Sequence, residues 1–134
     1  MMKSHNVTPV MIFDGQPMPA KKGTNDDRGR ARKQHIARAK GFVEEGRRAD
    51  ATQYFQRGIS ITPEMTHKLQ LALRAANIEF IVAPYEADVQ LAYMSHHSLI
   101  DCVVTEDSDL VCYGAKRILF KMDHLGQGQL CAHL

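Results

Sequence analysis

The stretch "EFIVAPYEADVQLAYMSHHSLIDCVVTEDSDLV" (79–111) decides the fold. Its opening, "EFIVAP" (79–84), is short, apolar and partly β-branched, and reads as a strand. "YEADVQLAYMSHH" (85–97) reads as a helix with Glu86 and Asp88 in its first turn, where the macrodipole favours anions by about 0.3–1 kcal/mol. "DCVVTED" (101–107) reads as the next strand. Two strands joined through a helix pair in parallel, so the stretch implies an α/β sheet with helices on its faces.

The flanking segments extend this pattern. "VTPVMIFDG" (7–15) reads as a buried strand closed by Asp14-Gly15, and "QPMPAKKG" (16–23) as a loop with two prolines. Thr62-Pro63 reads as an N-cap followed by Pro at the first helical position. Met65, Leu69, Leu73 and Ala76 then form an apolar stripe, and Asn77 ends the helix. "RILFKMD" (117–123) alternates like a strand, and "HLGQGQL" (124–130) reads as a turn. Residues 21–61 break the alternation. "DRGRARKQHIARAKGFVEEG" (27–46) and "RRADATQYFQRGISI" (47–61) read as two helices inserted between core strands. No second copy of the helix pair is present, so a solenoid is not implied. The expected class is α/β, with a mostly parallel sheet flanked by helices and a helical insertion.

A chain of 134 residues is one domain's worth, and its 44% hydrophobic residues supply a modest core. No apolar run reaches the roughly 18 residues that a membrane span needs. "MMKSHNVTPVMIFDG" lacks the apolar length and the cleavage site of a secretory signal, and the expectation is an intracellular protein. Cys102, Cys112 and Cys131 are odd in number and form no CxxC pair, which reads as plain thiols with Cys102 buried in a strand. His96 and His97 suit the C-terminal end of a helix. The net charge of +2 hides an asymmetry. Residues 21–57 hold eleven Lys and Arg against five Asp and Glu, leaving six against ten elsewhere. A basic block joined to an acidic remainder suits a polyanion partner, although a solvated helical face has the same composition.

Acids gather where the strands end. Ligands of open α/β sheets sit beyond the carboxyl ends of the strands. Asp14 closes one strand, Glu86 and Asp88 follow the next, and Asp107 and Asp109 follow the third. Residues two apart in an extended segment point the same way, so Asp107 and Asp109 can share a site while Glu106 turns aside. Taken singly, each acid is better read as a surface acid that caps a helix or ends a strand. Gathered in one pocket, five carboxylates repel unless protonated or bound to cations. Oxygen donors with no His or Cys beside them select a hard ion, Mg2+ or Mn2+. Two such ions about 3.5–4 Å apart would activate a water and stabilise both oxygens of an in-line phosphodiester displacement. Lys21, Lys22 and Arg28 follow Asp14 closely enough in sequence to hold a scissile phosphate, though any one of them also reads as surface charge. A dehalogenase-like phosphatase would want two aspartates two apart directly after the first strand, and "IFDGQP" offers only Asp14.

These residues carry a resemblance. "VMIFDGQPMPAKK", "EGRRADATQYFQRGISIT", "IVAPYEADVQLAYM", "VVTEDSDLVCYG" and "ILFKMDHLGQG", in this order, resemble the exonuclease 1 branch of the flap-endonuclease (XPG) superfamily of structure-specific 5′ nucleases. The resemblance runs from about Val7 to Leu134. It implies a PIN-like 5′ nuclease core, with residues 1–134 a partial nuclease domain, 21–61 a gateway and arch insertion, and 62–134 an internal nuclease region. It also implies a 5′→3′ double-stranded DNA exonuclease that cuts 5′ flaps using two Mg2+ ions. Asp14, Glu86, Asp88, Asp107 and Asp109 fall on the family's metal-binding carboxylates. Lys21 and Arg28 fall on its catalytic basic pair, carried on a gateway helix, residues 28–61 fall on its helical arch, and Lys22, Arg30, Arg32 and Lys33 are expected to bind DNA. The implied setting is the nucleus, in mismatch repair, recombination and replication, with DNA ends, nicks and flaps as substrates and mismatch-repair proteins as partners. The family's first strand, with another metal-site Asp, and its helix–two-turn–helix element fall outside the stretch of resemblance. The expectation is therefore a fragment of a nuclease domain, and the alternative function is a catalytically incomplete DNA- or protein-binding fragment. "GTNDDRG" (23–29) departs from the strongly charged helix usual there, with Gly23 and Gly29 loosening it and Asp26 and Asp27 adding negative charge.

Overall fold

In the computed structural model, which describes residues 2–132, four apolar residues make β1, Val10–Phe13. Met1, His133 and Leu134, the ends of the expected 1–134 domain, lie outside the described residues. β1 pairs in parallel with β2, Glu79–Val82, in a register that sets Val10 beside Glu79 and Phe13 beside Val82. The Phe13 and Phe80 rings meet edge to face at 5.7 Å. Between β2 and the next strand runs α4, Ala87–His96, and β3, Val103–Thr105, pairs in parallel with β4, Arg117–Phe120. The short helix α5, Asp109–Cys112, makes the crossover from β3 to β4. The expected parallel α/β pattern is present, laid down as two ladders, β1-β2 and β3-β4, the second extended by one more strand, β5, Gln129–Ala132.

β5, Gln129–Ala132, adds to β4 in antiparallel fashion where the sequence reads as a turn as far as Leu130. Its side chains give little signal, because Leu130 is 64% exposed and the strand is held mainly by its ladder with β4. The turn itself is shorter and well tied. One Asp123 carboxylate oxygen accepts the amides of Leu125 and Gln127 at 2.8 and 2.9 Å, and Gly126 takes a φ of 85°.

The chain forms two compact units. The first, residues up to Pro17 together with those from Ala72 onward, holds both ladders, α4 and α5. Its core is Val103, Leu110, Ala115 and Ile118, with Ala92 beside them and Leu91, Ile100 and Phe120 packed against it. Full burial of a Val, Leu or Ile contributes about 1.5–3 kcal/mol each, so Val103, Leu110 and Ile118 anchor this unit. The buried Ser95 hydroxyl accepts the Lys116 amide at 2.9 Å, so the core holds no orphaned donor there. His96 and His97 end α4 as expected, with ring nitrogens 2.9 and 2.8 Å from the Tyr113 and Tyr93 carbonyls. Cys102 lies just before β3 and is exposed, which corrects its reading as a buried strand residue; all three cysteines are free. Partial desolvation of the Cys102 sulfur still pushes its thiol upward.

The second unit, Met18–Leu71, is a helical hairpin. α1 spans Lys22–Glu44 and α2 spans Arg48–Gly58. α1 starts earlier than expected, because the loop prolines lead into a 3-10 turn, Pro19–Lys21, that feeds directly into the helix. Gly23 and Gly29 are therefore interior to α1, with open space around both. Gly46, at φ 75°, turns the chain into α2. The helices close on Ala39 and Ala51, both buried, and on Gly58, where an added Cβ would lie 2.5 Å from Ile36 Cγ1. Tyr54 stacks near Phe42 at 5.2 Å and His35 at 5.6 Å, with the Arg38 and Arg57 guanidiniums over its ring. α3, Pro63–Ala75, begins in this unit and ends in the other. Its start is capped as expected, the Thr62 hydroxyl accepting the Met65 amide at 3.3 Å, and Asn77 leaves the helical region with φ 52°.

Candidate metal centre

Three segments of the first unit bring carboxylates together. Asp14 follows the last residue of β1, and its Oδ1 accepts the Ala87 amide at 2.8 Å. That amide is one of the unsatisfied donors at the start of α4, so Asp14 caps a helix that lies 73 positions further on. Glu86 is the N-cap residue in extended backbone rather than part of the first turn, which corrects its placement, and its side chain does not cap its own helix. Asp88 does stand in the first turn and is half-buried.

The other two acids come from the segment after β3. The Thr105 hydroxyl accepts the Asp107 amide at 3.0 Å, and Asp107 Oδ1 accepts the Asp109 amide at 3.0 Å. These local side-chain bonds to backbone fix a turn that leads into α5. Carboxylate oxygens of Asp88, Asp107 and Asp109 lie within 4.8 Å of one another. Asp14 and Glu86 are close enough to act on the same group. The Asp88 carboxyl is pushed above its ordinary value, first by partial burial and then by the charges of Asp107, Asp14, Asp109 and Glu86. The other four expected acids thus act on the charge of Asp88, and Asp88, Asp107 and Asp109 alone meet the geometry of a shared cation among the described residues. An all-oxygen set at this spacing, with no sulfur or imidazole among its members, fits a hard divalent ion.

The expected cations lie in the second unit. Lys21 ends the 3-10 turn, and Lys22, Arg28, Arg30, Arg32 and Lys33 stand on α1 with exposed side chains. Arg30 is ion-paired with Asp27 three positions earlier. Thr105 is a site residue that the reading of acids missed; its signal is a hydroxyl two positions before an aspartate, the spacing of a side-chain turn.

The family model described as the XPG I-region matches residues 77–132, which hold β2 to β5 and four of the five acids. Exonuclease 1 of Arabidopsis thaliana is 40% identical over 128 residues, covering 96% of this chain and 17% of the relative. Exodeoxyribonuclease 1 of Schizosaccharomyces pombe is 44% identical over 126 residues, covering 94% of this chain and 22% of the relative. The chain therefore spans about a fifth of the length of these curated relatives. Among solved structures, the catalytic core of Rad2 in complex with DNA substrate superposes with a TM-score of 0.61 at 25% identity, covering 96% of this chain and 34% of that one. Flap endonuclease-1 from Methanococcus jannaschii gives 0.60 at 24% identity, covering 96% of this chain and 41% of that one, and shares the fold.

Proposed function

Because the chain carries an XPG I-region and aligns along nearly its whole length with exonuclease 1, we propose that it is the metal-holding part of a 5′ nuclease that hydrolyses DNA phosphodiester bonds. The observation that carries this reading is the meeting of Asp88, Asp107 and Asp109 oxygens within 4.8 Å, with Asp14 and Glu86 adding charge. The proposed reaction is 5′→3′ removal of nucleotides from duplex DNA and cutting at 5′ flaps. Asp14, Glu86, Asp88, Asp107 and Asp109 would hold two Mg2+ ions, with Mn2+ as a substitute. When bound, such ions supply an acidified water and neutralise charge on the scissile phosphate. Lys21 and Arg28 are assigned to that phosphate, as cations against its developing charge. Lys22, Arg30, Arg32 and Lys33 are assigned to the strand backbone, Arg30 by exchanging Asp27 for a phosphate. In this reading the protein acts in the nucleus, in mismatch repair and recombination, alongside mismatch-repair proteins.

The test is release of labelled nucleotide from duplex and 5′-flap DNA, with Mg2+ and with chelator. Cleavage is expected only with Mg2+, and Asp107→Ala is expected to abolish it with little loss of DNA binding. An Asp107→Ala protein that cuts at the unaltered rate overturns the assignment. A second reading is binding of DNA or a protein partner without cleavage, and the run of exposed bases on α1 favours it. Binding that weakens steeply with salt, with no cutting in Mg2+ or Mn2+, would select it.

A further inference from the structure

We propose that Gly15 is a positioning residue of the metal centre: its missing side chain lets the end of β1 seat against the Ala83–Tyr85 backbone, and that seat holds Asp14 on Ala87 and beside Asp88. The inference rests on the metal reading above and adds a residue that ligates nothing.

The approach is closer than any side chain allows. A Cβ built on Gly15 would overlap the Ala83 carbonyl oxygen, and would lie 2.9 Å from both the Ala83 and the Pro84 carbonyl carbons. Every one of these atoms is backbone, so none can swing away as a flexible side chain would. Ala83 is buried as well. The seat is tied on both sides: the Ala83 amide donates to Phe13 at 2.9 Å, the Gly15 amide to Tyr85 at 2.6 Å and the Gln16 amide to Pro84 at 3.1 Å. Gly15 is not among the residues with positive φ, so the requirement is for space and not for a left-handed backbone. Asp14 precedes Gly15 and accepts the Ala87 amide, and Asp88 is the next residue. A shift at Gly15 therefore moves one carboxylate directly and disturbs the helix start that presents another.

Mn2+ binding, followed by the electron paramagnetic resonance signal of the free ion, tests this on the full chain. Gly15→Ala is expected to weaken binding by about 10–100-fold, the range for residues that orient metal ligands. In an Asp14→Asn background, Gly15→Ala is expected to add little, because the carboxylate it positions is already gone. Gly128→Ala is the control: its Cβ would crowd the Phe120 carbonyl oxygen at 2.6 Å in the β4–β5 hairpin, so it should lower the melting temperature and leave Mn2+ affinity alone. Should Gly15→Ala not fold, Pro84→Gly loosens the same seat and is expected to weaken Mn2+ binding to a smaller degree. Unchanged affinity in folded Gly15→Ala overturns the inference alone, as does unchanged affinity in Pro84→Gly when Gly15→Ala does not fold. An unaltered chain that binds no Mn2+ overturns the metal reading, and this inference falls with it.

Discussion

Asp107 Oδ1 accepts the Asp109 amide at 3.0 Å, so one acid of the cluster sets the backbone of another. The two roles of Asp107 can be separated. Asn keeps an oxygen that accepts the amide but loses the charge, whereas Ala loses both. Both variants are expected to lose Mg2+ binding. Asp107→Ala should also destabilise the turn by about 0.5–2 kcal/mol, the range for losing a side-chain cap, and Asp107→Asn should not. Calorimetric Mg2+ titration together with chemical unfolding checks this; full Mg2+ affinity in Asp107→Asn would contradict it.

Asp88 is expected to make stability depend on pH and on metal together. Its carboxyl is raised in the fold, chiefly by burial and then by its acidic neighbours, so the native state keeps this proton to higher pH than the unfolded chain. The sign follows: the cost is absent below the ordinary aspartate value, enters as pH rises through the raised one, and persists above it. In chelator, the melting temperature should therefore fall across that window, and Asp88→Asn should melt higher than the parent near neutral pH. Mg2+ should restore the parent at neutral pH and do little in acid, where the Asp88 carboxyl holds its proton. Thermal melts at several pH values, with and without Mg2+, read all three effects, and a parent indifferent to Mg2+ at neutral pH contradicts them.

Inside α1, two glycines are replaceable and one neighbour in α2 is not. Gly23 and Gly29 face open space in helical backbone, so Ala at either is expected to stabilise the hairpin by about 0.5–1 kcal/mol. Gly58 packs within reach of Ile36 Cγ1 and the Arg32 carbonyl, so Gly58→Ala should destabilise it. Far-UV circular dichroism during urea unfolding distinguishes the signs; stabilisation by Gly58→Ala would show that the two helices are looser than described.

What was legible in the sequence follows from range. "VMIF", "EFIV" and "VVT" show as strands because short apolar, β-branched runs fit a pleated ladder; the expected burial holds only for Val103, since β1 and β2 are at most half-buried. The acids were legible because each lies beside the end of such a run. β5 was not, because "QLCA" is an exposed edge segment recognised by its partner strand and not by its own pattern. The start of α1 was hidden by two prolines and Gly23, which read as loop until the 3-10 turn is seen to continue into helix. The bond between Asp14 and Ala87 and the seat of Gly15 join residues too far apart in the chain for any local pattern to announce.

Arg30 and Asp27 make an exposed ion pair on the face assigned to DNA, and that pairing sets opposite expectations for two substitutions. Lys33→Ala removes a cation that makes no ion pair among the described residues, so it should weaken DNA binding evenly across sequences and lower the salt slope by about one. Asp27→Ala should do the reverse. It releases Arg30 for a phosphate and removes a repulsive charge, and exposed pairs of this kind are worth about 0.2–1 kcal/mol, so binding should tighten only a few-fold. Fluorescence anisotropy with a short labelled duplex, titrated across salt, measures both slopes. Weaker binding in Asp27→Ala would mean that Arg30 does not meet DNA from this helix.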